Sequence, residues 1–172
     1  MMDKKITSAK RCALIGVCTS CALVLSYVEV LLPPISAAAP GIKMGLANIM
    51  TVFALYRFGL KPAVAVSSLR IIISALLFGS VVSFVYSVIG GVLSLAVMTL
   101  LKHSDRMSVV GVSAVGGVVH NAGQILGAVL LMKTAEISYY FPILAISGTV
   151  AGICVGIIGA VLLKTLRNVK LY

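Results

Sequence analysis

Carboxylates are scarce in this chain. Of its 172 residues only four are acidic, Asp3, Glu29, Asp105 and Glu136, and no two are close in sequence. Local spacing therefore offers no paired-carboxylate site and no Asp-rich magnesium site. The chain also lacks G-x-x-x-x-G-K-[ST], which excludes a P-loop ATPase, and it lacks G-x-S-x-G and H-E-x-x-H. The ten-residue alternation of a membrane β-barrel is missing too. Charged residues make up 10% of the chain, against about 25% in an average soluble domain. That is too little polar surface to coat a globule in water. These absences point to a protein that is not an enzyme and carries no cofactor or metal.

What the chain does contain is apolar: 60% of its residues are hydrophobic and the mean hydropathy is +1.16. Its 14 Lys and Arg residues lie in short clusters between long apolar runs. Lys4, Lys5, Lys10 and Arg11 precede the first run, and Arg57 and Lys61 follow the second. Lys102 and Arg106 follow the fourth; Lys164, Arg167 and Lys170 follow the sixth. The alternate connections hold only Lys43 and Lys133, and Arg70 lies inside a run. This is the charge bias of a six-span membrane protein with both termini in the cytoplasm. The basic clusters suit anionic lipid headgroups. No basic stripe with interleaved aromatics marks a nucleic-acid partner.

A membrane-crossing helix needs roughly 20 residues. The expected spans are about 11–32, 44–58, 61–79, 81–101, 108–132 and 140–163, all in one integral membrane domain, 1–172. The second is short, which leaves two readings, a tilted span or a helix that begins within the loop. Pro62 sits in the first turn of the third, and the third and fourth form a tight hairpin. The start of the chain has signal-peptide features, a basic stretch, an apolar stretch and Ser36-Ala37-Ala38-Ala39. The apolar stretch from Cys12 to Leu32 is about 21 residues, which suits a span better than a signal sequence. Cys18-x-x-Cys21 lacks a second ligand pair and reads as small packing residues, as do Cys12 and Cys154. Gly148, Gly152 and Gly156 in span 6, and Gly123 and Gly127 in span 5, allow close backbone approach in lipid. Ala9 and Ala13 form a weaker small-residue pair at the start of span 1, suited to contact with a partner helix.

A few residues are costly in lipid. Arg at a helix centre costs about 2.5–3.5 kcal/mol, and Arg70 sits near the middle of span 3. Glu29 is the only acidic residue within a span. His120, Asn121 and Gln124 cluster in span 5; His120 and Gln124 share a face, whereas Asn121 lies about 100° round the helix. Two readings follow: interhelical glue, or a polar pocket for a small solute. The segment from Pro33 to Lys43, rich in proline and small residues, reads either as an outer lid over such a pocket or as an ordinary interfacial loop. The expected lining is Glu29, Lys43, Asn48, Arg70, Tyr86, His120, Asn121 and Gln124. Arg70 or Lys43 would pair with an anionic group.

The string Pro40-Gly41-Ile42-Lys43-Met44-Gly45-Leu46-Ala47-Asn48-Ile49 is specific. Together with Tyr56-Arg57-Phe58-Gly59-Leu60-Lys61, Leu69-Arg70, Tyr86-Ser87, Gly90-Gly91 and His120-Asn121 with Gln124, it strongly resembles one bacterial membrane family. That family is the Gx transporter family, also labelled heptaprenyl diphosphate synthase component I. The resemblance covers nearly the whole chain. It implies a six-helix fold like the S-components of energy-coupling factor transporters, which bind a small molecule beneath the loop after helix 1. It also implies a transmembrane coupling subunit and ATPases as partners, with Ala9-x-x-x-Ala13 matching the coupling contact. The implied ligand is a vitamin, a flavin or an isoprenoid- or quinone-related molecule, and the implied place is the bacterial cytoplasmic membrane. The second label implies a non-catalytic membrane partner of a prenyl synthase subunit in heptaprenyl diphosphate or menaquinone biosynthesis. Asp-rich diphosphate–magnesium motifs are missing here, so the label does not imply catalysis by this chain.

Overall fold

Long apolar runs with few helix breakers leave the backbone one way to satisfy its polar groups in lipid, the α-helix. The computed structural model describes residues 8–31, 45–104 and 106–168. It is all-helical there, with α1 (Ser8–Leu31), α2 (Asn48–Phe58), α3 (Leu60–Phe78), α4 (Val81–His103), α5 (Val109–Met132) and α6 (Phe141–Thr165). A short 3-10 turn, Ala135–Tyr140, joins α5 to α6. Local signals set the boundaries. Ser80 and Ser108 cap α4 and α5 by accepting from Ser83 N (3.1 Å) and Gly111 N (3.2 Å), which satisfies amide groups the first turn leaves unpaired. Gly59, at φ +92°, turns the chain between α2 and α3.

Among the described residues five helices, not six, are long and apolar enough to cross a membrane. The exception is α2. Its 11 residues rise only about 16 Å, against roughly 30 Å of hydrocarbon. The expected span over 44–58 thus begins late, because Gly45 has φ +87° and Leu46–Ala47 form a turn before the helix. The other expected spans agree with α1 and α3–α6 to within three residues at each end. The expected lid, 33–43, lies outside the described residues.

The burial pattern is inverted relative to a soluble protein. Leu76, Val81, Ile146 and Leu100 are mostly exposed, while Arg70, Asn121, Gln124, His120, Ser94 and Ser113 are buried. Apolar outside and polar inside is what a lipid solvent selects. The chain is a multi-pass membrane bundle.

Small residues hold it together. On α5 and α6 a Cβ at Gly117 would lie 2.2 Å from Gly148 O, and one at Gly152 would lie 2.5 Å from Ser113 O. The small-residue register of α6 therefore meets α5 backbone to backbone. Gly123 packs against Gly90 of α4, where a Cβ would come within 2.7 Å of the Gly90 Cα, and Gly127 lies against Tyr86. α1 packs on α3 and α2 and buries Cys18, Ala22, Ser26 and Glu29 along one stripe, and the Tyr27 and Phe78 rings meet edge to face at 5.7 Å. Cys18 is buried and Cys21 exposed, so the two thiols divide between faces as packing residues do.

Replacing Gly117 by Ala should force α5 and α6 apart and cost about 1–3 kcal/mol. The same change at Gly16, where a Cβ meets nothing within 4 Å, should leave stability unchanged. Monodisperse elution after a heating series checks both.

Candidate functional site

The site is built around the start of α2. Two contacts fix its far end: Arg57 Nη2 donates to Leu166 O at 3.2 Å, and Lys102 Nζ donates to Leu55 O at 2.7 Å. The Lys102 ammonium also lies over the Tyr56 ring, 5.1 Å from its centroid. The C-terminal ends of α2, α4 and α6 and the start of α3 therefore share one end of the bundle, which carries the basic residues. Measured from that end, Asn48 lies about 15 Å along α2 and Arg70 about 15 Å along α3. So α2 begins half-way through the bundle, where water cannot satisfy its leading N–H groups.

Glu29, near the opposite end of α1, takes up part of that role. Its Oε1 accepts from Leu46 N at 2.8 Å and from Gly45 N. A carboxylate near the start of a helix is also favoured by the helix dipole. Asn48, the first residue of α2, accepts at Oδ1 from Arg70 Nη2 at 3.1 Å. His120 closes the ring: a Cβ on Gly45 would lie 3.6 Å from its Cδ2 and 2.9 Å from Asn48 Nδ2. Gly45 is thus required twice, for its positive φ and for the absence of a side chain.

Four of the expected residues, Glu29, Asn48, Arg70 and His120, meet at this point. Gln124 lies one turn further along α5; a Cβ on Gly90 would lie 3.1 Å from its Cγ and 3.2 Å from His120 Nδ1. Asn121 is elsewhere. Its Nδ2 donates to Leu144 O at 2.7 Å and to Ser147 Oγ at 3.4 Å, so it ties α5 to α6. Tyr86 is fully buried in a separate cluster with Ile125, Ala128, Ile137 and Leu144. Lys43 lies outside the described residues. Ala9 and Ala13 are exposed on α1, available to a neighbour in the membrane.

Glu29 Oε2 and Arg70 Nε are buried without a hydrogen-bond partner among the described residues; Arg70 is only 3% exposed and Glu29 8%. A cavity beside the ring, lined by Gly45, Asn48, Val52, Ser94, Ser113 and Gly117, measures about 10 Å³, at most room for one water. Sequence reasoning missed Gly45 and Ser94, whose hydroxyl donates to Gly116 O at 2.8 Å. The glycine within the PGIK-x-GLANI string was the available signal for the first; nothing marked the second. Among the described residues no group of three or more His, Cys, Asp or Glu is placed to hold a metal.

The sequence model of the family described as heptaprenyl diphosphate synthase component I matches residues 18–162. The chain belongs to that family. No curated protein and no solved structure matches it. The match includes every residue of the ring around α2 and leaves Ala9 and Ala13 outside.

Glu29→Ala should leave the Gly45 and Leu46 amides unpaired and cost about 1–3 kcal/mol. Glu29→Gln, which keeps an acceptor oxygen, should cost less. Thermal inactivation midpoints of the two variants in one detergent give the comparison. Asn121→Ala should cost about 0.6–1.7 kcal/mol, the range for an interhelical bond in lipid.

Proposed function

We propose that this chain is the solute-binding membrane subunit of a small-molecule transporter, of the S-component type found in energy-coupling factor systems. The observation that carries the reading is the half-length helix α2, which opens inside the bundle beside a buried arginine. Discontinuous helices of this kind place their positive N-terminal ends at anionic groups of a substrate near the middle of a membrane. Arg70 supplies the full charge, and Asn48 and His120 supply hydrogen-bonding groups. Gln124 extends the polar wall. The expected lid 33–43, with Lys43 as a second cation, belongs to this reading and lies outside the described residues.

In this reading α2 belongs to the sixth crossing. This reading puts both termini in the cytoplasm, which the positive residues at the basic end support. The protein resides in the bacterial cytoplasmic membrane. It performs no catalysis, and uptake depends on a coupling subunit and ATPases, with Ala9 and Ala13 at the subunit contact. The ligand carries an anionic group on a flat or apolar body, as in a vitamin, a flavin or an isoprenoid- or quinone-related compound.

The family description favours a second reading, a non-catalytic membrane component that recruits a prenyl synthase subunit to its basic end. Co-purification separates the two: coupling ATPases support transport, and a prenyl synthase subunit supports recruitment.

Native mass spectrometry of protein gently extracted from its own membrane tests the binding site. A stoichiometric small molecule should accompany the wild type and be lost from Arg70→Ala, while the variant elutes as the wild type does. Full retention of that molecule by a well-folded Arg70→Ala protein would remove Arg70 from the site.

A further inference from the structure

A second opening lies away from the α2 ring. Between α3 and α4 runs a groove of about 640 Å³, within the range of about 300–1,000 Å³ that holds drug-sized ligands. Its walls are Val64, Ser68 and Ile72 on one side and Val92, Ala96 and Leu100 on the other. Most of these are exposed, so the groove opens sideways, toward the lipid. Gly91, with no side chain, lies on its floor. The short link Gly79–Ser80 joins the two helices at one end. At the other end the groove extends to Leu60 and Leu100, at the basic end of the bundle.

Its size and its charge select the occupant. From Leu60 to Ile72 the groove follows α3 for about 18 Å, and an α-helix of that length with side chains fills at least about 1,400 Å³. A partner helix would seat only its edge there, whereas a single flexible chain fits within. At the open end, Lys61 lies on the stripe of Val64, Ser68 and Ile72, and His103 lies one turn beyond Thr99, to whose carbonyl its Nδ1 is 2.7 Å. Both residues are exposed. The surrounding sequence adds Arg57, Lys102, Arg106, Lys164 and Arg167 against one carboxylate, Asp105. An apolar slot that ends in cations matches an amphiphile with one apolar chain and an anionic head.

We propose that the α3–α4 groove binds the chain of a single-chain, phosphate-headed membrane lipid, with the phosphate at Lys61 and His103. The lipid enters sideways from the leaflet at the basic end. The site is separate from the ring around Arg70 and stands whether or not that ring binds a solute.

Photolabelling of the full chain in lipid nanodiscs tests this, using lysophosphatidic acid whose oleoyl chain ends in a diazirine. Label should concentrate on the deep end of the groove, around Ile72, Phe84 and Val88. The paired change Ser68→Phe and Ala96→Phe, at two exposed positions, should fill the slot and abolish that label without altering elution. Lys61→Glu should weaken labelling at least about fivefold, the equivalent of one cation near a membrane surface. A monooleoylglycerol probe with the same diazirine should label less and be unaffected by Lys61→Glu. Label spread over the outward faces of all helices and insensitive to the filled groove would overturn the proposal, because that is the pattern of bulk lipid. Equal labelling by the two probes would overturn the phosphate assignment.

Discussion

The start of α2 is the constraint on which the rest of the bundle depends. A helix that begins inside an apolar assembly exposes N–H groups to surroundings that cannot solvate them, and each one left unpaired is costly. Glu29 supplies an acceptor from α1, and Asn48 links the first turn of α2 to Arg70 of α3. Three helices are thereby tied at one point by polar contacts. Burying Arg70 is costly in its own right, offset in part by its bond to Asn48 and by the charge of Glu29. A bundle that needed only stability would place Leu there. Glu29 Oε2 and Arg70 Nε have no hydrogen-bond partner among the described residues, and the proposed binding of a solute would give that cost a purpose.

Close backbone contact makes that point possible. Gly117 against Gly148, Gly152 against Ser113, and Gly90 against Gly123 bring α4, α5 and α6 together without intervening side chains. This sets how far His120 reaches toward Gly45. At the other end Arg57 and Lys102 bind carbonyl groups of neighbouring helices, so part of the basic charge serves the fold. Lys61, exposed beside the lateral groove, is the cation placed to serve a lipid headgroup. The molecule thus separates a closed polar interior, the site proposed for a small anionic solute, from an open apolar flank, the site proposed for a lipid chain.

Much of this was legible in the residues. Apolar runs of about 20 residues specify helices wherever they enter lipid, and five of the six expected spans appear with nearly the expected ends. Charge clusters marked the basic end. The shortness of the second run was visible too, but its meaning was not. Length alone does not distinguish a tilted span from a half-helix that starts inside, because that depends on which side chains meet its first amides.

Sequence by itself determined the helices, the inverted polarity, the basic end and the few polar residues worth inspecting, because these follow from local composition and the cost of unpaired groups in lipid. Tertiary structure alone decided which polar residues act together. His120 and Asn121 are adjacent in the chain, yet one faces the start of α2 and the other bonds to α6. Glu29 and Gly45 are 16 residues apart and Asn48 and Arg70 are 22 apart, and no periodicity links such pairs. Their meeting is set by how closely glycine lets the helices approach and by where α2 begins.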